Sequence, residues 1–316
     1  MDKIKKYEKR GFMNRIIIFA HFDKNNLIQD YVVYYLSELK KIAEKIIFVS
    51  DSDISPKELK KINNIIEHSI VEKHGEYDFG SYKRGFIYAK ENGLLNNCEE
   101  LIFANDSCYA PLYPFNNMFT KMSSKPNDFW GATFCDSGLS LKNGKYVQAK
   151  INHLQSFFVV FKPTVFKSEL FCNFIYSITK ENTKEEIITK YEVGMSKLLG
   201  DNGFLFDAYS NISKKVPSTH INAYHQAIIE DKLPFLKRSI TLYTQAEYHY
   251  PILIKYLIKK YTNYNYSLIE KDIKQNARKL TKLEHIKFYI KSLKRFIFRR
   301  KKRDRLFCIL GKWYTY

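Results

Sequence analysis

The sequence predicts an α/β protein built on a mostly parallel central sheet. Three observations predict it. Short apolar runs alternate with longer segments of helical spacing from residue 15 onward. The resulting β-α-β-α-β-α-β order implies parallel strands with helices on the sheet faces. Polar or acidic residues directly follow three of the apolar runs, at the carboxyl ends where such sheets gather ligands.

Arg15–Ala20 is a continuous apolar run and predicts a buried strand. Leu27–Ile42 has helical spacing, and Ile46–Ser50 is a second strand that runs into Asp51-Ser52-Asp53. Pro56 marks the next helix start, where proline is tolerated. Ser69–Glu72 is a short strand, Gly80–Asn92 a helix with Gly93 as its stop, and Leu101–Ala104 another buried strand. Further on, Gln155–Phe161 reads as a strand, and Val165–Ile178 and Lys184–Leu199 read as helices. Beyond Pro251 the pattern is helical and basic. The division expected is an extension over 1–13, a catalytic domain over 14–250 and a basic helical tail over 251–316.

The chain has 316 residues, 45% of them hydrophobic, enough for a real core. Its net charge of +19 is uneven. Residues 251–316 carry 19 Lys and Arg against 4 Asp and Glu, a net of +15, which leaves +4 for the first 250. No nucleic-acid motif accompanies the basic tail, so nucleic acid is not an expected partner. The tail also mixes aromatics with its charges around Lys291–Arg305, a pattern suited to an anionic membrane surface and equally to a solvated or partner-binding segment. The five cysteines form no C-x-x-C pair, which fits a reducing compartment. The charged first ten residues do not resemble a secretory leader, and no apolar stretch approaches the ~20 residues of a spanning helix. The expected location is the cytoplasm, peripheral on the inner face of the cell membrane.

Six groups have side chains suited to chemistry. Asp51 and Asp53 end a strand, where carboxylates accept hydrogen bonds from a base or ribose, or cap the following helix. Gly80, Lys83 and Arg84 suit a nucleotide at a helix start, or a loop with solvated charges. Asn105-Asp106-Ser107 follows a buried strand, so Asp106 can hold Mg²⁺ or Mn²⁺, or simply form an Asx turn. His153 and Gln155 precede an apolar strand and can line an acceptor cleft. Glu192 sits on an otherwise apolar helix, as a base or as an exposed ion-pair partner. Lys237 and Arg238 suit a diphosphate or solvent, and His220 and His225, five apart, allow a metal role that no neighbouring motif supports.

The order of these groups resembles inverting glycosyltransferases of the GT-A fold. Asp51-Ser-Asp53 resembles their nucleobase turn, Asp78-Phe-Gly80 their N-x-G segment, Asn105-Asp106-Ser107 their metal motif and Glu192 their late catalytic carboxylate. More closely, the chain resembles the rhamnan synthesis protein F family. The stretches that carry this likeness are HFDKNNLIQDYV (21–32), YDFGSYKRG (77–85), ELIFANDSCYAPLYPF (100–115), DFWG (128–131), HLQSFFVVF (153–161), YEVGMSKLL (191–199) and PFLKR (234–238).

The resemblance implies a GT-A-like nucleotide-sugar-binding fold and a divalent metal. It implies inverting transfer of a rhamnose-like sugar, from a donor such as dTDP-L-rhamnose, to a lipid-linked glycan of a cell-surface polysaccharide. It assigns donor contacts to His21, Asp23, Asp51, Asp53, Asp78, Gly80, Lys83, Asn105, Lys237 and Arg238. It assigns acceptor contacts to His153 and Gln155, metal contacts to Asp106 and Ser107, and the base to Glu192. Two departures are evident. The metal motif has one carboxylate where the general pattern has two, and the late motif is Glu-Val rather than Glu-Asp. A sugar-phosphate transferase on the same fold, or a non-catalytic partner in polysaccharide assembly, are the alternatives.

Overall fold

The computed structural model describes residues 13–136, 138–142, 145–211, 227–242, 251–276, 290, 298–301, 306–309 and 312–315. Its elements in chain order begin with β1 (Arg15–His21), α1 (Asp30–Lys40), β2 (Lys45–Ser50), α2 (Pro56–Leu59), β3 (His68–Val71), α3 (Tyr77–Glu91), β4 (Glu100–Asn105) and β5 (Cys108–Tyr109). They continue with α4 (Phe115–Ser123), β6 (Phe129–Cys135), β7 (Gly138–Lys142), β8 (Lys145–Ala149), β9 (His153–Leu154), β10 (Phe158–Phe161), α5 (Pro163–Phe166) and α6 (Glu169–Tyr176). Then come α7 (Lys184–Ile187), a π-helical stretch (Ile188–Val193), α8 (Gly194–Asp201), β11 (Phe206–Ser210) and β12 (Leu236–Lys237). The remaining elements are α9 (Pro251–Tyr261), α10 (Tyr266–Asn276), β13 (Phe298–Lys301), β14 (Leu306–Ile309) and β15 (Lys312–Thr315).

The chain divides into two compact units, one of residues 1–106 and 115–218, the other of 107–114 and 219–316. The second unit therefore begins ahead of the compositional shift near residue 250 and takes in a short piece of the first half. Composition registers charge, whereas this boundary follows chain contacts.

The first unit is the α/β body. Its main sheet runs β11-β6-β10-β4-β1-β2-β3, with β9 added beside β6. β4, β1, β2 and β3 are parallel, and so are β6 and β11. β10 is inserted antiparallel between β4 and β6, so the sheet is mostly rather than wholly parallel. β1 and β4 are buried almost throughout, which explains their continuous apolar runs. In register, Ala20 lies opposite Asn105, and His21 opposite Ser50. The strand ends are thereby level, and the polar residues after them share one edge of the sheet.

α3 lies against this sheet by an unusually close approach. Gly85 faces Ile18 of β1, where a methyl group would come within 2.3 Å of Ile18 Cγ2. Tyr82, one turn earlier, stacks on Phe103 of β4 at 4.4 Å between ring centres. Gly93, with φ +67, ends the segment in the left-handed region that glycine adopts freely.

Several elements differ from the sequence expectation. α3 starts at Tyr77, three residues before the expected Gly80. Of the expected strand Gln155–Phe161 only Phe158–Phe161 forms a strand, β10, because Gln155 and Ser156 bond sideways to Thr133 and Glu192; β9 lies just ahead of it. The helix expected over Val165–Ile178 breaks at Ser168, whose hydroxyl accepts the Phe171 amide at 3.2 Å and starts α6. β6, β11 and the β7–β8 hairpin are additions to the elements expected from sequence.

In the second unit, β12 pairs antiparallel with β5. α9 and α10 match the helical pattern read after Pro251, and β13, β14 and β15 then form an antiparallel sheet that the sequence reading did not include. β14 (LFCI) and β15 (KWYT) each include aromatic and β-branched residues, a short-strand composition set within a strongly basic segment. Among the described residues no helix is long and apolar enough to cross a membrane. Cys98, Cys108, Cys135 and Cys172 are buried thiols outside any disulfide.

Gly85→Ala is expected to destabilise the protein. Helix propensity favours alanine by ~1 kcal/mol, but forcing a methyl into a packed contact costs ~1–3 kcal/mol. The strand beneath is central and unable to retreat, so the thermal midpoint should fall. A midpoint equal to or above wild type would show that the helix–sheet spacing is not fixed here.

Candidate functional site

The level ends of β1, β2 and β4 bring several of the expected residues together. His21 is buried; its Nδ1 lies 2.9 Å from Ser50 Oγ and its Nε2 4.0 Å from Asp106 Oδ2. Asp106 also accepts the Phe22 amide at 3.3 Å, and its own amide donates to the Ala20 carbonyl at 3.2 Å. Tyr31 donates its hydroxyl to the Asp106 carbonyl at 3.0 Å. Asn105, fully inside, donates Nδ2 to Asp78 Oδ2 at 2.6 Å.

Asp51 is tied to the loop before α3. Its Oδ1 accepts the Gly75 amide at 2.8 Å. Its Oδ2 lies 3.7 Å from His74 Nδ1. Asp53, by contrast, is exposed and only 3.6 Å from the equally exposed Lys73 Nζ. Asp23 fastens its own loop: its carboxylate accepts the amides of Asn25 and Leu27 and the Gln29 side chain at 2.8, 3.3 and 3.0 Å.

His74 is a member of this site that sequence reasoning missed. Glu76 donates its amide to His74 Nδ1 at 3.0 Å, which places the ring proton on Nε2 facing Ser81 Oγ, also at 3.0 Å. Burial depresses the pKa of His74, with Arg84 adding to the effect against Asp51, Glu76 and Glu72. The neutral ring is thus a fixed spacer between the Asp51 turn and α3. The one available signal was its place beside Gly75, just ahead of the Asp78-Phe-Gly80 segment.

Gly80, Lys83 and Arg84 serve the chain itself. A Cβ at Gly80 would come within 2.3 Å of Glu76 Cβ and 2.8 Å of His74 Nδ1, so glycine is required by internal packing. Lys83 donates Nζ to the Ile178 carbonyl at 2.7 Å. Arg84 pairs with Glu72 through two bonds of 2.8 Å and with Glu76 at 2.9 Å, which raises its pKa further.

A second cluster surrounds Glu192. This residue lies in the π-helical stretch, an irregularity frequent at functional sites. Its Oε2 accepts both the Ser156 amide (3.0 Å) and the Ser156 hydroxyl (2.5 Å), while Oε1 lies 3.8 Å from His153 Nε2. His153 donates Nδ1 to the Ile151 carbonyl at 3.0 Å, so Nε2 is the atom left facing the carboxylate. Burial opposes a charge on His153, but the Cys135 thiol, Glu192 and the Ile151 carbonyl outweigh it and raise its pKa. Gln155 accepts the Thr133 hydroxyl at 2.6 Å and is buried.

Two bonds join the clusters. Asn105 donates its amide to the Phe157 carbonyl at 3.2 Å, and Tyr82 its hydroxyl to the Ser156 carbonyl at 2.9 Å. Asp78 and Tyr82 are one helical turn apart, so one face of α3 touches both groups.

Ser107, Lys237 and Arg238 belong to the second unit. Lys237 Nζ donates to Ser107 Oγ at 3.1 Å, and the Arg238 amide to the Ser107 carbonyl at 2.9 Å. Arg238 makes a two-point ion pair with buried Asp272, both bonds 2.9 Å, and Tyr109 donates to the same carboxylate at 2.6 Å. His220 and His225 lie outside the described residues.

A mostly parallel α/β sheet with buried polar groups at its strand ends defines a ligand-binding protein of the kind that suits a transferase using nucleotide-sugars. The model of the family described as rhamnan synthesis protein F matches residues 46–305, and the chain belongs to that family. An uncharacterized protein of Sinorhizobium fredii, y4gN, is 23% identical over 159 residues, covering 50% of this chain and 39% of that protein. The chain thus spans well under half the length of this relative.

Among solved structures, a 4-diphosphocytidyl-2C-methyl-D-erythritol synthase has a TM-score of 0.40 at 11% identity, covering 70% of this chain and 98% of that one. Core-mannan synthase A of Aspergillus fumigatus, in an Mn/GDP form, has a TM-score of 0.36 at 10% identity, covering 62% and 71%. Scores this low assign no activity.

Because native His74 is neutral, the folded protein binds fewer protons than the unfolded chain below about pH 6.5. The stability that His74 contributes is therefore full above that value and is lost as pH falls below it. The drop in thermal midpoint between about pH 7 and about pH 5 should be smaller in His74→Gln than in wild type. Equal drops would show that His74 does not govern the acid response.

Proposed function

We propose that this protein is an inverting glycosyltransferase that moves a rhamnose-like sugar from a nucleotide-sugar, such as dTDP-L-rhamnose, to a lipid-linked glycan. The family membership supports the reaction class. The observation that carries the mechanism is the Glu192 carboxylate, oriented by two hydrogen bonds on one oxygen and one-fifth exposed. With Oε2 held by Ser156, Oε1 is the oxygen able to take a proton from an acceptor hydroxyl. That hydroxyl then attacks the anomeric carbon from the face opposite the nucleotide and inverts it.

In this reading the donor lies along the ends of β1, β2 and β4. Asp51 receives the base or ribose, and His21, Asn105 and Asp78 shape the floor beneath it. His153 and Gln155 border the acceptor. Asp23 and Lys83 act by holding the loops and helices that carry the site.

A divalent ion, when bound, neutralises the leaving diphosphate. Asp106 is the carboxylate at the sheet edge suited to it. The described residues contain no group of three or more His, Cys, Asp or Glu able to hold an ion. Asp106 would be the protein's carboxylate for such an ion, which would supply positive charge against the leaving diphosphate.

The domain reading follows: a catalytic body and a basic carboxyl-terminal region that rests on anionic lipid at the inner membrane face. Most of Lys291–Arg305 lies outside the described residues, and the charge pattern alone supports this role. The full chain should co-sediment with anionic vesicles at low salt and release at high salt. Equal behaviour with neutral vesicles would remove the membrane role.

Glu192→Gln keeps the shape and the hydrogen bonds' partner atom but removes the base. Transfer at saturating donor should fall by about 10²- to 10⁴-fold while nucleotide-sugar still raises the thermal midpoint. Near wild-type transfer would dismiss Glu192 as the base. Transfer that survives exhaustive chelation would dismiss the metal.

A further inference from the structure

Tyr77 opens α3 with φ +56, in the left-handed region. For a bulky residue this is a strained conformation, and such strain collects at ligand-binding sites. Gly75, two residues earlier, has φ +68, so the same short loop uses glycine at one left-handed position and a large aromatic at the other.

The residues around Tyr77 are all committed to holding the turn. The Gly75 amide is bound to Asp51 and the Asp78 carboxylate to Asn105, at 2.8 and 2.6 Å. Glu76 is held between His74 and Arg84. The Tyr77 side chain shares in none of this. It is 51% exposed, and among the described residues it has no hydrogen-bond or ring partner. The loop thus fixes the backbone of Tyr77 from both sides and leaves its ring open to solvent, between residues bound to the ends of β2 and β4.

We propose that Tyr77 is a binding residue whose ring face stacks against the base of a nucleoside diphosphate at this edge of the sheet. The inference rests on the nucleotide-sugar reading above. Ring stacking suits the place because it needs a flat apolar face held rigidly, while the neighbouring polar groups bind the edges and ribose of the same ligand.

Strain and function separate cleanly at this residue. Glycine adopts φ +56 without penalty, so Tyr77→Gly removes the ring and the strain together. Tyr77→Phe keeps both. The experiment measures thermal midpoints, and calorimetric affinities for thymidine, uridine and guanosine diphosphates, in the wild-type full chain and both variants.

Expected is a rise of about 2–4 °C in the Tyr77→Gly midpoint together with affinity weakened about 5- to 100-fold. Tyr77→Phe should match wild type in both. Unchanged affinity in Tyr77→Gly overturns the proposal. So does a lower midpoint, which would make the ring a packing element. If the wild type binds none of the three nucleotides, the nucleotide-sugar reading itself fails, and this proposal with it. That outcome is visible before any variant is compared.

Discussion

Asn105 is the residue on which the carboxyl edge of the sheet depends. Its backbone sets the register of β4 against Ala20, its side chain holds Asp78 at the start of α3, and its amide holds the Phe157 carbonyl. A buried amide side chain must be satisfied, and leaving one of its groups unpaired costs ~1–3 kcal/mol. The position is therefore a junction at which strand, helix and loop constrain one another. The placement of Ser156, and through it of Glu192, follows from that junction. The segment between β9 and β10 is pinned by Asn105 on one side and by Tyr82 on the other.

The helix carrying Glu192 adds a second constraint. A regular α-helix through Ile188–Val193 would advance each side chain by about 100°. The π-helical stretch changes that advance locally, so the face presented by α7 need not be the one presented by α8. Glu192 meets Ser156 and His153 while Tyr191 reaches Glu181 and the Thr179 carbonyl. Neighbouring residues thus serve two different parts of the body. Tyr191 of the stretch joins the apolar core together with Ile187 of α7 and Met195 of α8.

Much of this was legible in the sequence because β1, β2 and β4 are continuous apolar runs with polar endings, a pattern that fixes both burial and direction. The start of α3 was less so, since its first residue has a backbone conformation that tyrosine rarely takes. The antiparallel place of β10 was hidden because burial on both faces removes any alternation. β6, with Phe-Trp-Gly-Ala-Thr-Phe-Cys buried throughout, carries no period that separates it from a helix. Individual charges were harder still. Lys83 and Arg238 have the chemistry of phosphate ligands, but their partners, the Ile178 carbonyl and Asp272, lie far along the chain. His74 carried no motif of its own, and its importance comes from four neighbours that only the fold assembles.

The excursion of residues 107–114 sets an order on synthesis. This segment emerges early, in the middle of the α/β body, yet its own partners are β12 and α10. The sheet of the first unit has all its strands once residue 210 has left the ribosome. The phenol of Tyr109 must wait a further 62 residues for the carboxylate of Asp272. A nascent chain therefore passes through a stage in which the body can close while an eight-residue loop waits for the region that will bury it.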